Sequence, residues 1–150
     1  MTDTDDFSDD RGPDPSGEPL GRFVRAFYDA RRAAARSGDL APLDAFIAPD
    51  VRWAEPDVGD HMGDLRGRAA VLGMIRRALA TTGGTFDLRV TGTVETGSHV
   101  AALIAWSAEK DGGRIEGREL AVYEVRDGRI AAAWFHPENI ADDRAFWGEA

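Results

Sequence analysis

The 150-residue chain has no cysteine. That excludes a disulfide framework, a thiolate metal site and a cysteine nucleophile. Lysine is nearly missing as well: Lys110 is the only one among 18 cationic residues. The arginine-rich, Ala- and Gly-rich usage resembles that of a high-GC bacterial genome and carries no functional message. Long apolar runs are absent. The longest, Val100 to Trp106, falls far short of the ~20 residues a membrane span needs. No basic-then-apolar segment opens the chain, so a cytoplasmic location and no membrane partner are expected. Neither GxGxxG nor GxxxxGK[ST] occurs, so Gly83-Gly84 and the other glycine pairs read as turns rather than a phosphate cradle.

Acid is plentiful. The net charge is −9, and six of those charges sit in residues 1–19, where seven acids face Arg11. The remaining body is only slightly acidic and has no basic stripe, so no nucleic-acid partner is expected. The length fits one domain. Residues 1–19 hold one aromatic and three prolines, too little apolar surface to repay ordering, and read as a disordered acidic tail before a domain at 20–150.

From Leu20 to Arg36, Leu20, Phe23, Val24, Phe27, Ala30 and Ala34 recur at helical steps, and Ser37-Gly38-Asp39 ends the helix. Asp39 is placed to cap a second short helix through Leu43, Phe46 and Ile47, stopped by Pro49. Val51 to Glu55 reads as a strand closed by Pro56, and Asp57 to Arg66 as a Gly- and Asp-rich loop. A third helix carries Val71, Leu72, Ile75 and Leu79. After Gly84 the period changes to two: Phe86, Leu88, Val90 and Val94 alternate with polar residues. His99 to Ala108 is apolar at both parities, as in a strand covered on both faces. Arg114 to Arg126 turns at Asp127-Gly128 into Arg129 to His136, a hairpin signal. A short helix or tail closes the chain at 142–147. Helices grouped first and strands last predict an α+β fold.

Five stretches in this order carry a resemblance: Ser37-Gly38-Asp39-Leu40, Pro49-Asp50-Val51-Arg52-Trp53, Gly63-Asp64-Leu65-Arg66-Gly67-Arg68, Val125-Arg126-Asp127-Gly128-Arg129-Ile130 and Asp143-Arg144-Ala145-Phe146-Trp147. From about Leu20 to Trp147 the chain resembles the SnoaL-like group of the nuclear transport factor 2-like superfamily, related to ketosteroid isomerases and polyketide cyclases. The resemblance implies a cone-shaped α+β barrel. In it, three N-terminal helices pack on a strongly bent, mainly antiparallel sheet around a pocket. It also implies a homodimer through the sheet's outer face. It does not imply one reaction, because the fold hosts several chemistries.

Four residues emerge as candidate catalytic groups. Glu55-Pro56 matches the position where ketosteroid isomerases keep their general-base aspartate before a proline, and burial beside Trp53 would raise its pKa as a proton shuttle requires. The alternative is a solvated strand-end glutamate. The second acid of those isomerases falls at Ala121, and their first-helix tyrosine falls near Arg31, with Tyr28 one turn earlier. A steroid-isomerase oxyanion hole is therefore incomplete. Glu119 and Tyr123 share the inferred inward parity with Ala121. An inward Glu119 must be paired, protonated or functional, unless it bridges to an arginine or turns outward. Tyr123 is either a donor or a core aromatic. His61 lies in the loop where SnoaL-like sequences often carry a histidine, and its imidazole suits acid/base work.

Trp53, Tyr28, Trp106, Trp134 and His136 are the candidate substrate-binding residues. Trp106 and Trp134 most simply suit the core or a dimer surface, though an aromatic-lined pocket would need such residues, and His136 either lines the pocket or caps the sheet's rim. His99 follows a turn and is expected to be exposed. Asp57, Asp60, His61 and Asp64 crowd one loop, but their spacing matches no calcium loop and no two-histidine helix motif, so no metal and no cofactor are expected. The sequence thus predicts a cofactor-independent acid/base isomerase, cyclase or hydrolase for an apolar carbonyl- or epoxide-bearing metabolite. The alternative is a non-catalytic ligand-binding or dimerisation module of the same fold.

Overall fold

A computed structural model describes residues 19–56 and 63–148. The elements are α1 (Pro19–Ser37), a 3₁₀ segment (Ala41–Phe46), β1 (Ile47–Ala54), β2 (Asp64–Arg66), α2 (Arg68–Thr81), β3 (Asp87–Thr96), β4 (His99–Lys110), β5 (Gly113–Arg126), β6 (Arg129–Pro137) and α3 (Ile140–Trp147). The predicted α+β class holds.

Helix α1 buries Val24, Phe27, Tyr28, Arg31 and Ala34, one face at helical spacing. Gly38 ends it at φ +78°, its N–H on the Ala34 carbonyl at 2.8 Å, the left-handed cap that glycine adopts without strain. The first turn is capped from far away: the Glu95 carboxylate on β3 accepts from Gly21 N–H at 2.9 Å. That anion at a helix N-terminus satisfies an otherwise orphaned donor.

The second helix is 3₁₀ rather than α, and it gives way to β1 at Ile47 instead of running to Pro49. Asp39 accepts from Ala41 N–H at 3.0 Å, an Asx turn that leads into the segment. Pro49 lies inside β1, where the pairing with β6 is irregular between Ile47 and Arg52. A residue without an N–H is tolerated where the ladder is already interrupted.

One six-stranded sheet runs β2-β1-β6-β5-β4-β3. It is curled but not closed, and every neighbour is antiparallel except β1 on β6. Two-residue turns at Asp111-Gly112 and Asp127-Gly128 have positive φ at both positions, the hairpin turns that match strand twist. Irregularities at Val90/Gly92 on β3 and Glu124/Val125 on β5 add bends of the kind that curl a sheet.

The concave face takes Val100, Ala102, Ile104, Trp106 and Ala108 from β4 and Ala121 and Tyr123 from β5, all buried. The convex face differs from the expectation for β4. Within the chain it is uncovered, with Leu103 55% and Trp134 39% exposed. No helix among the described residues is long and apolar enough to cross a membrane.

Candidate functional site

Inside the cone most of the aromatic rings pack edge to face, with Trp53 and Phe135 tilted at 36°. Trp53 lies 5.9 Å from Tyr123 and 5.0 Å from Phe135, and Phe27 touches both Trp53 and Tyr123. Tyr28 on α1 and Tyr123 on β5 share a 2.5 Å hydroxyl–hydroxyl hydrogen bond. Only one hydrogen lies between two hydroxyl oxygens, so the second remains available to another acceptor. Burial raises both phenol pKa values, so both rings stay neutral. Trp53, Tyr28 and Tyr123 thus form the packed base of the cone and do not line the cavity described next.

That cavity, about 40 Å³, is bounded by Arg31, Glu55, Trp106, Glu119, Asp143 and Trp147, with Pro56, Met74, Phe86 and Leu88 completing the wall. A volume of this size is enough for a water. Each polar group arrives by a local rule. Glu55 follows β1, and its side chain folds back so that Oε1 accepts from Trp53 Nε1 at 2.9 Å. Glu119 comes from β5 at the inward parity, opposite Ile104 on β4 and Pro137 on β6. Asp143 and Trp147 come from α3, which Asn139 starts by accepting from Asp142 N–H at 3.1 Å. Lys110, at the end of β4, donates to the Phe146 carbonyl and ties the helix down.

Trp106 owes its place to a glycine. It faces Gly117 across the β4–β5 ladder, and a Cβ there would lie 2.8 Å from the indole. The bare backbone lets the ring lie flat against β5, and Phe86 and Trp147 hold it at centroid distances of 5.6 and 5.9 Å.

The carboxyls are not ordinary. Desolvation lifts Glu119 to about 8, helped by the nearby Glu55 charge and opposed by Arg31. Desolvation also raises Glu55, but the Trp53 N–H and Arg31 counteract it. The tryptophan hydrogen bond opposes the rise at Glu55, and Glu119 has no counterpart to it among the described residues. Two acids facing one space, both raised by burial, are thereby made unequal. Asp143 is lifted to about 6, by desolvation and then by Asp142.

Arg31 and Asp143 line the cavity although neither is among the candidate site residues of the sequence. Arg31 is only 7% exposed, and its guanidinium carbon sits 5.9 Å from the Phe27 ring and 5.7 Å from the Tyr28 ring. The signal for it was available: an arginine on the apolar stripe of α1, one turn beyond Phe27 and Tyr28. Asp143 carried no such signal, because its burial depends on where a short C-terminal helix docks.

Of the predicted site residues, the structure brings Glu55, Glu119 and Trp106 to one cavity. Trp134 and His136 do not reach it. They stand on the convex face, where Trp134 stacks on His99 at 6.4 Å and His136 lies beside Leu120 and Glu138. Their parity on β6 puts them opposite to buried Ala133 and Phe135. His99 is exposed, as expected, with Nδ1 2.9 Å from the Ser98 hydroxyl. His61, Asp57 and Asp60 lie outside the described residues. Among the described residues, no three His, Asp or Glu side chains converge to hold a metal ion.

The SnoaL-like domain family matches residues 24–133. No curated protein matches the sequence. Among solved structures, Bal32a from a soil-derived mobile gene cassette superposes with a TM-score of 0.76 at 26% identity, over 85% of this chain and 95% of its own. An NTF2-like protein of unknown function from Burkholderia pseudomallei gives 0.71 at 23% identity, over 83% and 94%. IdmH from Streptomyces antibioticus, a candidate polyketide cyclase, gives 0.63 at 25% identity, over 80% and 96%. The sequence match covers most of α1, all of α2 and nearly all of the sheet, stopping short of α3; the fold is that of the NTF2-like structure, and the chain belongs to the SnoaL-like domain family.

Proposed function

We propose that this domain is a cofactor-independent acid/base enzyme acting on a small apolar carbonyl- or epoxide-bearing metabolite, as an isomerase, cyclase or hydrolase of the polyketide-cyclase kind. The observation that carries this reading is the pair Glu55 and Glu119, which face one cavity, are both raised by burial, and differ in that, among the described residues, only Glu55 accepts a hydrogen bond, from the Trp53 indole. On a carbonyl substrate, the Glu55 carboxylate removes a proton from the carbon next to the carbonyl. The Glu119 carboxyl donates a hydrogen bond to the oxygen as it gains negative charge. Trp53 holds Glu55 in place through its N–H, so Trp53 and the Tyr28–Tyr123 pair act as positioning groups. His61 remains a candidate acid/base group in the loop after Pro56. The likeness to IdmH supports carbonyl chemistry over other uses of the fold.

The test has two parts. Carboxyl NMR titration, with Glu55→Gln and Glu119→Gln as assignment controls, should show Glu119 titrating near 8. Incubation with small ketones such as acetone in deuterium oxide should show exchange at the carbon beside the carbonyl, lost in Glu55→Gln. Normal titration of both carboxyls and no exchange would sink the proposal.

A second reading, a ligand-binding or dimerisation module without catalysis, is favoured by the ring packing of Trp53, Tyr123 and Phe135 in the cone. Pairing as a homodimer through the convex face belongs to both readings. There Leu103 pairs with Leu120, and Val122 with Trp134. Leu103→Glu should convert a dimer to a monomer in analytical ultracentrifugation. A monomeric unmodified protein would remove the dimer from both.

A further inference from the structure

Two buried donors in the cavity have no partner among the described residues. Arg31 Nε and Trp106 Nε1 are shut off from solvent and, among those residues, make no hydrogen bond. The residues are only 7% and 5% exposed, and both line the same space. A buried donor without an acceptor is costly, and a buried guanidinium is retained where something planar and anionic takes its fork of N–H groups. Within the protein, the Glu55 carboxylate already takes the Trp53 N–H, and Glu119 and Glu55 act on Arg31 through space rather than by a hydrogen bond.

We infer that Arg31 and Trp106 form a carboxylate subsite, and that the ligand of this cavity, about 40 Å³ in volume, is a short-chain carboxylic acid little larger than acetate, bound as its anion. The guanidinium fork takes the two carboxylate oxygens, and the indole N–H supports one of them. The apolar body of the ligand lies against Phe86, Met74 and Trp147, which wall the same space. Glu119, by holding its proton, adds a donor rather than a second negative charge beside the bound anion. For the acid/base reaction proposed above, on which this assignment of substrate rests, the substrate is then an oxo acid: a carbonyl for Glu55 and Glu119, a carboxylate for Arg31.

Binding of three probes sized to the cavity tests it: acetate, its neutral isostere acetamide, and the ketone acetone. Titration calorimetry on the full chain should show acetate binding roughly tenfold or more tighter than either neutral probe, the size of effect expected from a charge-assisted bidentate contact. Arg31→Met should erase that preference, and Arg31→Lys should retain part of it. The unmodified protein supplies an independent readout, because acetate should shift the Arg31 Nε–H and Trp106 Nε1–H signals in NMR while acetamide shifts them less. Equal binding of acid and amide, no acid binding at millimolar concentration, or unchanged acid preference in Arg31→Met overturns the subsite. Acid binding with no deuterium exchange of any ketone removes the enzymatic reading and leaves the subsite standing. Exchange of a neutral ketone with no preference for the acid does the reverse.

Discussion

On the convex side of β5, Arg118 is 72% exposed in its side chain and forks onto Glu138, with Nε–Oε1 at 3.1 Å and Nη2–Oε2 at 3.0 Å. One residue on, Glu119 faces the cavity, receives no hydrogen bond among the described residues, and has its pKa lifted to about 8. The same contrast holds for the arginines. Arg114 and Arg126 pair with Glu116 and Glu124 outside, while Arg31 inside has an Nε with no partner among the described residues. Water decides the difference. On the convex face solvent screens each charge, and pairing adds little. On the concave face a charge is costly unless something answers it, so unanswered polar groups there mark a place for chemistry or a ligand. Strand pleating, which turns successive side chains to opposite faces, separates the two environments by one residue.

The contrast can be broken at several points. The largest effect is expected at Glu55: Glu55→Gln should lower turnover in the proposed reaction by about 10²–10⁴-fold with little change in melting temperature. An equally active variant would remove Glu55 as the base. Next comes pH. Glu119 binds its proton more tightly in the folded chain, at about 8, than at the ordinary 4.5. The folded state therefore holds more protons across that window, and its stability falls as pH rises from about 4.5 to about 8. The loss is at most about 1.4 kcal/mol per pH unit, and Glu119→Gln should flatten the thermal-denaturation profile. A profile equally steep in the variant would assign the dependence elsewhere.

Smaller effects sharpen the same comparison. Gly117→Ala forces a methyl group into the Trp106 indole and should cost about 1–3 kcal/mol in urea unfolding. Trp106 fluorescence should change with it, whereas Gly128→Ala, in the hairpin turn away from the indole, should leave that fluorescence alone. Tyr28→Phe strands the Tyr123 hydroxyl and should cost about 1–3 kcal/mol, with part of that recovered when Tyr123→Phe is added. Full additivity of the two would show that the hydroxyls do not share a hydrogen bond. Smallest of all, Arg118→Ala should change stability by under about 1 kcal/mol. A loss as large as that from Gly117→Ala would mean the convex face is not the solvent-screened surface described here.

Much of this was legible because it depends on period and turn chemistry. The helical steps of α1, the alternation in β3 and the Asp127-Gly128 turn each lie within a few residues of sequence. The inward parity of Glu119 and Tyr123 followed from the same alternation once β5 was recognised. Two local readings changed on folding. The segment after Asp39 is 3₁₀, because it has only six residues before β1 must begin pairing with β6. Trp134 and His136 face outward because β6 joins β5 with Ala133 opposite Tyr123 and Phe135 opposite Ala121, a register that reserves the concave side for those residues.

The sequence by itself determined the element types, the hairpins, the absence of thiol chemistry and the alternation that separates Arg118 from Glu119, since each is set by neighbours along the chain. Only the tertiary structure decided that Arg31, Glu55, Trp106, Glu119 and Asp143 meet around one cavity. They come from α1, the end of β1, β4, β5 and α3, and only the curling of the sheet around the helices joins them. Their protonation and missing partners follow from the water that this closure expels, a property of the assembled cone rather than of any segment within it.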